Sequence, residues 1–109
     1  MKTPNIIITM TSLPNIEIAR SIAQRCIETH LAACVQIIPQ IESIYFWDNQ
    51  LRTDSETLLL IKTNSDKKDM LEQELKLLHP YNTPEIISFE SDSVEPKYAD
   101  WLNTFVGDR

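Results

Sequence analysis

His79 is the first candidate for chemistry in this chain of 109 residues, which holds only two histidines and two cysteines. It lies in the segment LKLLHPYNTPEII, at the end of an apolar run and directly before Pro80. Three roles are open for its imidazole: a metal ligand, a catalytic base, or the residue that ends a helix. The third role is physically reasonable because a histidine in a last helical turn meets free carbonyls and the negative end of the helix dipole.

The other nitrogen and sulfur side chains point mainly to structural roles. Cys26 recurs with the apolar residues of a helical pattern, so we predict that it packs in the core. Cys34 stands at the start of a strand, where a cysteine is more often a small hydrophobic residue. His30 has no cysteine or carboxylate at a known metal spacing, so we expect it to be solvated or to cap a helix.

Catalytic patterns are absent from the sequence. There is no Ser-His-Asp order, HExxH or CxxC, and the single glycine, Gly107, excludes every glycine-rich phosphate loop. We therefore predict that the protein is not an enzyme.

Composition predicts one globular domain over residues 1–109, with 42% hydrophobic and 24% charged residues. The net charge of −6 argues against nucleic acid and against an anionic membrane as partners, because both require a basic surface. The N-terminal stretch does not follow the pattern of a signal peptide and is too short to span a membrane. Two cysteines are too few for a secreted disulfide scaffold, so we expect a cytoplasmic protein.

Hydrophobic periodicity predicts the elements that must position these residues. Strands are expected over 5–11, 33–50, 55–63 and 85–90, and the second of them is interrupted at Pro39. Helices are expected over 14–30, 65–79 and 95–106, and Pro14 stands in the first turn of the first helix. For the second helix we predict Ser65 or Asp66 as the cap and an apolar stripe of Leu71, Leu75 and Leu78. The order is βαββαβ followed by a C-terminal helix. It is typical of the α+β, ferredoxin-like fold, with a four-stranded antiparallel sheet and two helices on one face.

The strand over 33–50 is apolar on both faces. Tyr45 and Trp47 point to one side of the predicted sheet, and Ile44 and Phe46 point to the other. Two helices cover only one face of a sheet, so the second face must be wet or covered by another subunit.

Four segments then suggest a family, namely LAACVQIIPQIESIYFWDNQL, ETLLLIKT, HPYNTPEI and YADWLN. In this order they resemble the motifs of the CutA family, the divalent-cation tolerance proteins. The resemblance covers nearly the whole chain. It implies a ferredoxin-like fold related to the PII signalling proteins, a tight homotrimer and a cytoplasmic location. It also implies binding of divalent cations, copper as Cu(II) above all, in heavy-metal tolerance, with no established catalytic reaction. Threefold closure would pair sheet edges between chains, so we predict that Tyr45, Phe46 and Trp47 lie in or near the subunit contact.

The resemblance also indicates the metal positions. Some members have a cysteine at the end of the first strand and a His-His pair before Pro-Tyr, where this chain has Met10, Leu78 and His79. It therefore implies His79 and Met10 as metal ligands, a weak pair for Cu(II) because a thioether is a soft donor. Two glycines of the family pattern are replaced by Gln40 and Asn49. We expect a left-handed conformation for Asn49 and an ordinary backbone angle for Gln40.

A further set of motif residues is implied to lie around a cleft between subunits: Cys34, Trp47, Glu56, Lys62, Tyr81 and Glu85. The family motif makes Cys34 a candidate ligand or redox site beside its packing role. Two alternatives to metal binding stay open. The cleft is either the site of a small molecule or partner protein, as in a PII-like sensor, or a set of ion pairs that only fixes a structural trimer.

Overall fold

The structure is a computed structural model that describes residues 3–108. Residues 1, 2 and 109, which the predicted domain includes, lie outside the described residues. The elements are β1 (Ile6–Leu13), α1 (Ile16–Glu28), β2 (Cys34–Trp47), β3 (Gln50–Asn64), α2 (Lys68–Leu78), β4 (Ile86–Glu90) and α3 (Pro96–Gly107). All strand pairs are antiparallel in the order β2-β3-β1-β4, which confirms the predicted α+β, ferredoxin-like fold with an extra C-terminal helix.

The main core lies between the sheet and the pair α1 and α2. Its fully buried members are Leu13, Ala19, Cys26, Ala32, Leu59, Ile61, Leu71 and Leu75. Burying a large apolar side chain stabilises the fold by about 1.5–3 kcal/mol, so this layer provides much of the driving force for folding. The predicted core position of Cys26 is confirmed, and burial raises the pKa of its thiol to about 12.

The apolar stripe predicted for α2 is correct only in its first two members. Leu71 and Leu75 are fully buried, but Leu78 is 38% exposed. The reason is the helical period: the position one turn beyond Leu75 is His79, and it is His79 that turns toward the sheet and is buried.

The opposite face of the sheet is covered at one end only. Leu102 and Val106 of α3 pack there against Ile6. Elsewhere on this open face Ile87 and Phe89 of β4 are exposed. Within residues 3–108, no helix combines the length and the apolar character needed to cross a bilayer.

The strands β2 and β3 form a long hairpin whose tip is exposed to solvent. Asp48 and Asn49 form its two-residue turn with φ of 51° and 58°, which confirms the left-handed conformation predicted for Asn49. β3 begins at Gln50 instead of residue 55, because the polar stretch before Glu56 pairs with β2 in unbroken register up to the turn.

Pro39 interrupts β2 as predicted, since the register with β3 shifts between Ile38 and Ile41. The prediction for Gln40 is wrong: its φ is 58°, in the left-handed region. The bulge after the proline requires this conformation, for which glycine is the usual residue.

The first two helices start later than predicted, and an asparagine shapes the turn before each of them. Asn15 is the N-cap of α1 and its Oδ1 accepts a hydrogen bond from the backbone N–H of Ile18 at 2.9 Å, so Pro14 precedes the helix. Before α2, the side chain of Asn64 accepts from the backbone N–H groups of Asp66 and Lys67 at 3.1 and 3.2 Å.

The predicted caps Ser65 and Asp66 therefore do not start α2. The hydroxyl of Ser65 instead accepts a hydrogen bond from the backbone N–H of Asn5 at 3.1 Å. This contact connects residues far apart in the sequence, and a local capping pattern does not predict it.

Candidate functional site

His79 ends α2 and is 8% exposed. The pairing of β1 with β4 stops at Thr11, so the carbonyl of Ser12 has no partner in β4 and accepts a hydrogen bond from His79 Nε2 at 2.9 Å. His79 Nδ1 accepts from the backbone N–H of Tyr81 at 3.2 Å. A carbonyl only accepts, and a backbone N–H only donates. The two contacts therefore assign the proton to Nε2 and make the ring neutral.

The surroundings of His79 favour this neutral form. Burial lowers the pKa of the imidazole, while the bond to Ser12 and the negative charge of Glu56 act in the opposite direction. A neutral ring that donates one N–H to a backbone carbonyl is the arrangement typical of metal-bound histidine. Nδ1 is the nitrogen whose lone pair could bind a metal ion, and it would then lose the hydrogen bond that it accepts from the backbone N–H of Tyr81.

Met10, the second predicted ligand, lies on β1 two positions before Ser12, opposite Leu60 of β3 and Ile87 of β4. Two positions in a strand correspond to about 7 Å along the sheet. Among the described residues, no three His, Cys, Asp or Glu side chains come close enough to hold a metal ion. The neighbouring Thr9 faces α2, because its hydroxyl contacts Ser88, which bonds Glu72. Met10 therefore faces the open side of the sheet with Ile87, and one chain does not bring the thioether and the imidazole into one coordination sphere.

Tyr81 connects His79 to the base of the hairpin. Its ring lies 4.9 Å from the imidazole, and its hydroxyl donates a hydrogen bond to Glu56 Oε2 at 2.7 Å. Burial, and then the bond to Glu56, raise the pKa of the Tyr81 hydroxyl, so this group remains a donor. Ser12, His79, Tyr81 and Glu56 thus form one connected polar group.

A groove with a volume of about 430 Å³ opens beside Glu56. Its walls are residues 14–17 at the start of α1, residues 39–40 of the β2 bulge and residues 55–57 of β3. Glu56 belongs both to the lining of this groove and to the polar group, and its carboxylate is directed to the Tyr81 hydroxyl.

Cys34 and Lys62 lie together at the other end of the sheet, directly opposite each other in β2 and β3. Tyr98 of α3 lies over them. Lys62 Nζ is 5.7 Å from the centre of the tyrosine ring, and burial followed by the adjacent Cys34 thiol raises the pKa of the Tyr98 hydroxyl. Tyr98 was not among the predicted site residues, although its place in the YADWLN motif was an available signal.

The six predicted cleft residues do not meet in one chain. Glu56 is six positions from Lys62 along β3, and Trp47 pairs with Gln50, six positions on the other side of Glu56. Each separation is therefore about 20 Å along the strand. Glu85 is exposed just before β4. A cleft that holds all of these residues requires more than one copy of the chain.

His30 has a structural role. Its φ is 58°, and the backbone N–H groups of His30 and Leu31 bond to the carbonyls of Ile27 and Cys26, which is the Schellman pattern that ends a helix. Its ring stacks on Phe105 at 4.1 Å, and its Nδ1 donates to the Phe105 carbonyl at 2.8 Å. The predicted capping role is confirmed, and the side chain also joins α1 to α3.

Similar proteins come from bacteria, animals and archaea. The divalent-cation tolerance protein CutA of Thermus thermophilus is 39% identical over 100 residues, which cover 92% of this chain and 97% of that relative. The CutA homolog of Xenopus laevis is 43% identical over 93 residues, and the chain spans 62% of its length. The structure of a periplasmic divalent cation tolerance protein CutA from Archaeoglobus fulgidus superposes with a TM-score of 0.89. It is 32% identical, and the match covers 93% of this chain and 98% of that one.

One family matches most of the described residues. The family described as CutA1 divalent ion tolerance protein matches residues 7–104, which include the strand of Met10, the hairpin, and His79. The strand order and the polar group around His79 lie within this match. The chain therefore belongs to the CutA1 family of divalent ion tolerance proteins.

Proposed function

We propose that this protein is a cytoplasmic homotrimer that binds divalent cations, Cu(II) first among them, and catalyses no reaction. Its family supports a role in tolerance of divalent ions. We propose His79 and Met10 as ligands. Because they lie toward different faces of the sheet in one chain, neighbouring copies would have to complete each metal site. Among the described residues, the structure offers no group of three classical ligand side chains in one chain, which is why the trimer is part of the proposal.

The arrangement of His79 carries the metal proposal. The ring is neutral, its Nε2–H is held by the Ser12 carbonyl, and Nδ1 presents a lone pair whose present partner is a backbone N–H at 3.2 Å. Copper accepts imidazole nitrogen readily, and the held tautomer keeps the ring in position. Because binding must displace the Tyr81 N–H, we expect modest affinity.

The exposed apolar surface supports the trimer. Phe46 is 67% exposed and Leu51 is 74% exposed, both on the hairpin, and the open face of the sheet adds Ile87 and Phe89. Large exposed apolar side chains of this kind are typical of contact sites between proteins. A second copy that covers the hairpin would also bring Trp47 of one chain toward residues of another.

A competition titration of Cu(II) against a chelator of known strength tests the metal proposal. His79→Gln keeps a donor for the Ser12 carbonyl but removes the imidazole, and we expect it to weaken binding tenfold or more, about 1.4 kcal/mol. Met10→Leu should weaken binding less, since a thioether is a poor Cu(II) ligand.

His30→Gln is the matched control because it removes the other imidazole of the chain. It should leave Cu(II) affinity unchanged. Equal losses in the two histidine variants, or no loss in His79→Gln, would contradict the assignment of His79 as ligand.

The groove beside Glu56 favours a second candidate function, a PII-like trimer that senses a small molecule or a partner protein. The groove has the volume of a ligand site, and Glu56 is already positioned by the Tyr81 hydroxyl. Under this alternative, ligand affinity depends on Glu56, Lys62 and Trp47 and not on His79. A purely structural trimer predicts no saturable ligand of either kind.

A further inference from the structure

We propose that Tyr81 is a positioning residue that lowers the affinity of His79 for a metal ion, because the bond from its hydroxyl to Glu56 holds its backbone N–H on Nδ1. Tyr81 thereby regulates the metal site of the proposed function, on which this inference rests. Three contacts of one tyrosine carry it. Two of them are made to the imidazole of His79 and one to the hairpin.

The imidazole of His79 is held so that Nδ1 stays directed at Tyr81. The ring is buried at the end of α2, and its Nε2 donates a hydrogen bond to the Ser12 carbonyl at 2.9 Å. Turning the ring away from Tyr81 would break this buried bond. Nδ1 has one lone pair, which the backbone N–H of Tyr81 occupies at 3.2 Å. A metal ion therefore reaches Nδ1 only if that N–H withdraws.

The backbone of Tyr81 is in turn held by its own side chain. The ring lies 4.9 Å from the imidazole, and the hydroxyl donates a hydrogen bond to Glu56 Oε2 at 2.7 Å. Hydrogen bonds to a charged acceptor are stronger than those between neutral groups. Glu56 is itself fixed in the sheet, because it pairs with Ile41 of β2. Withdrawal of the N–H changes the backbone at the Cα of Tyr81 and so strains the bond between its hydroxyl and the sheet.

Burial makes the loss of this bond costly. Tyr81 and Glu56 are both half-buried, so water replaces a broken bond between them only in part. Metal binding and the Tyr81–Glu56 bond therefore oppose each other. By linkage, a bond that weakens metal binding is itself weakened by the metal by the same factor. Metal binding at His79 would in this way loosen Glu56 at the base of the hairpin.

The restraint on the backbone is tested first on the metal-free protein. Tyr81→Phe removes the hydroxyl and keeps the ring beside the imidazole. We expect the amide proton of residue 81 to exchange with water roughly threefold faster or more, measured by NMR. Tyr45→Phe is the matched control, because it breaks the other bond from a tyrosine to a carboxylate on the hairpin, to Asp54, and should leave this rate unchanged.

Glu56→Gln breaks the same bond less completely from its other end. The glutamine side chain keeps an oxygen that accepts from the Tyr81 hydroxyl but lacks the negative charge, so the hydrogen bond becomes weaker. We expect an exchange rate of the residue 81 amide between those of the wild type and Tyr81→Phe.

The effect on the metal is measured by the Cu(II) competition titration described above, applied to the wild type and the two tyrosine variants. We expect Tyr81→Phe to bind Cu(II) roughly fivefold more tightly than the wild type, and Tyr45→Phe to bind it equally. A tyrosine that only stabilises the fold would give no gain in affinity when its hydroxyl is removed.

The remaining outcomes separate this inference from the proposed function. Tighter Cu(II) binding without faster exchange would overturn the inference, because the gain would then come from the freed Glu56 carboxylate. Faster exchange without tighter binding would also overturn it, since the peptide would then move without opposing the metal. In both cases a loss of affinity in His79→Gln would still support His79 as ligand. If His79→Gln binds Cu(II) like the wild type, the inference and that ligand assignment both fail.

Discussion

At the scale of single residues, His79 combines two roles that the sequence presents as alternatives. It is the residue that ends α2, and its ring is a neutral, oriented imidazole with one lone pair toward a weak partner. The helix-ending role does not work as predicted from the dipole. The ring bonds to the Ser12 carbonyl of β1, not to the carbonyls of its own helix. The turn that ends α2 therefore also holds in place the imidazole of His79, which we propose as a metal ligand.

The same residue predicts a dependence of stability on pH. The pKa of His79 in the folded protein lies below the ordinary value of 6.5, so the unfolded chain binds more protons in the window between the two values. The free energy of unfolding should be fully retained above about pH 6.5 and fall as the pH decreases through this window.

Denaturant unfolding of the metal-free protein at a series of pH values from neutral to mildly acidic measures this effect. We expect the His79→Gln variant to show a smaller loss on acidification than the wild type, because its amide does not titrate. The His30→Gln variant serves as control. A pH dependence that is identical in wild type and His79→Gln would show that other groups are responsible.

At the scale of elements, the bulge of β2 controls both the register of the hairpin and one wall of the groove. Gln40 adopts φ of 58° although it has a side chain, because the residues on both sides of the bulge are already paired with β3. A left-handed conformation costs a residue other than glycine roughly 1–2 kcal/mol, so the surrounding pairing must offset this strain.

Replacing Gln40 with glycine should therefore stabilise the protein by about 1 kcal/mol. Thermal or denaturant unfolding measures the change. Gln36→Gly is the matched control, because Gln36 lies on the same strand in regular pairing with Leu60 and should lose about 0.5–1 kcal/mol. Destabilisation by Gln40→Gly would mean that the Gln40 side chain contributes more than its backbone strain costs.

At the scale of the whole molecule, the hairpin leaves apolar surface that one chain does not cover. The molecule measures 49 × 27 × 21 Å, an elongated shape in which the hairpin tip is far from the helices. The proposed trimer would bury this surface and assemble the separated groups around Trp47, Glu56 and Lys62.

The oligomer is tested by light scattering during gel filtration at micromolar concentration. We expect a mass of three chains of 12.6 kDa for the wild type, and a shift toward the single chain for Phe46→Asp. Leu77→Asp is the matched control, because Leu77 is 81% exposed on α2, away from the hairpin. A wild type that elutes as a monomer would refute the trimer.

The order of elements and the fold class could be predicted from the sequence, because helical and strand periodicities are local properties of the chain. The burial of Cys26 followed from its place on a helical stripe, and the left-handed Asn49 followed from turn chemistry. For His79, the neighbouring Pro80 indicated the helix-ending role as one of three open roles, since a proline prevents the helix from continuing.

The contacts between distant groups became visible with the three-dimensional arrangement of the chain. The bond of His79 to Ser12, the position of Tyr98 over Cys34, and the bond of Tyr81 to Glu56 join residues that are distant in sequence. Such contacts depend on strand order, on register and on where β4 ends, and these result from the packing of the whole chain. Local sequence patterns carry no information on that packing, so they indicated candidate residues and not their partners.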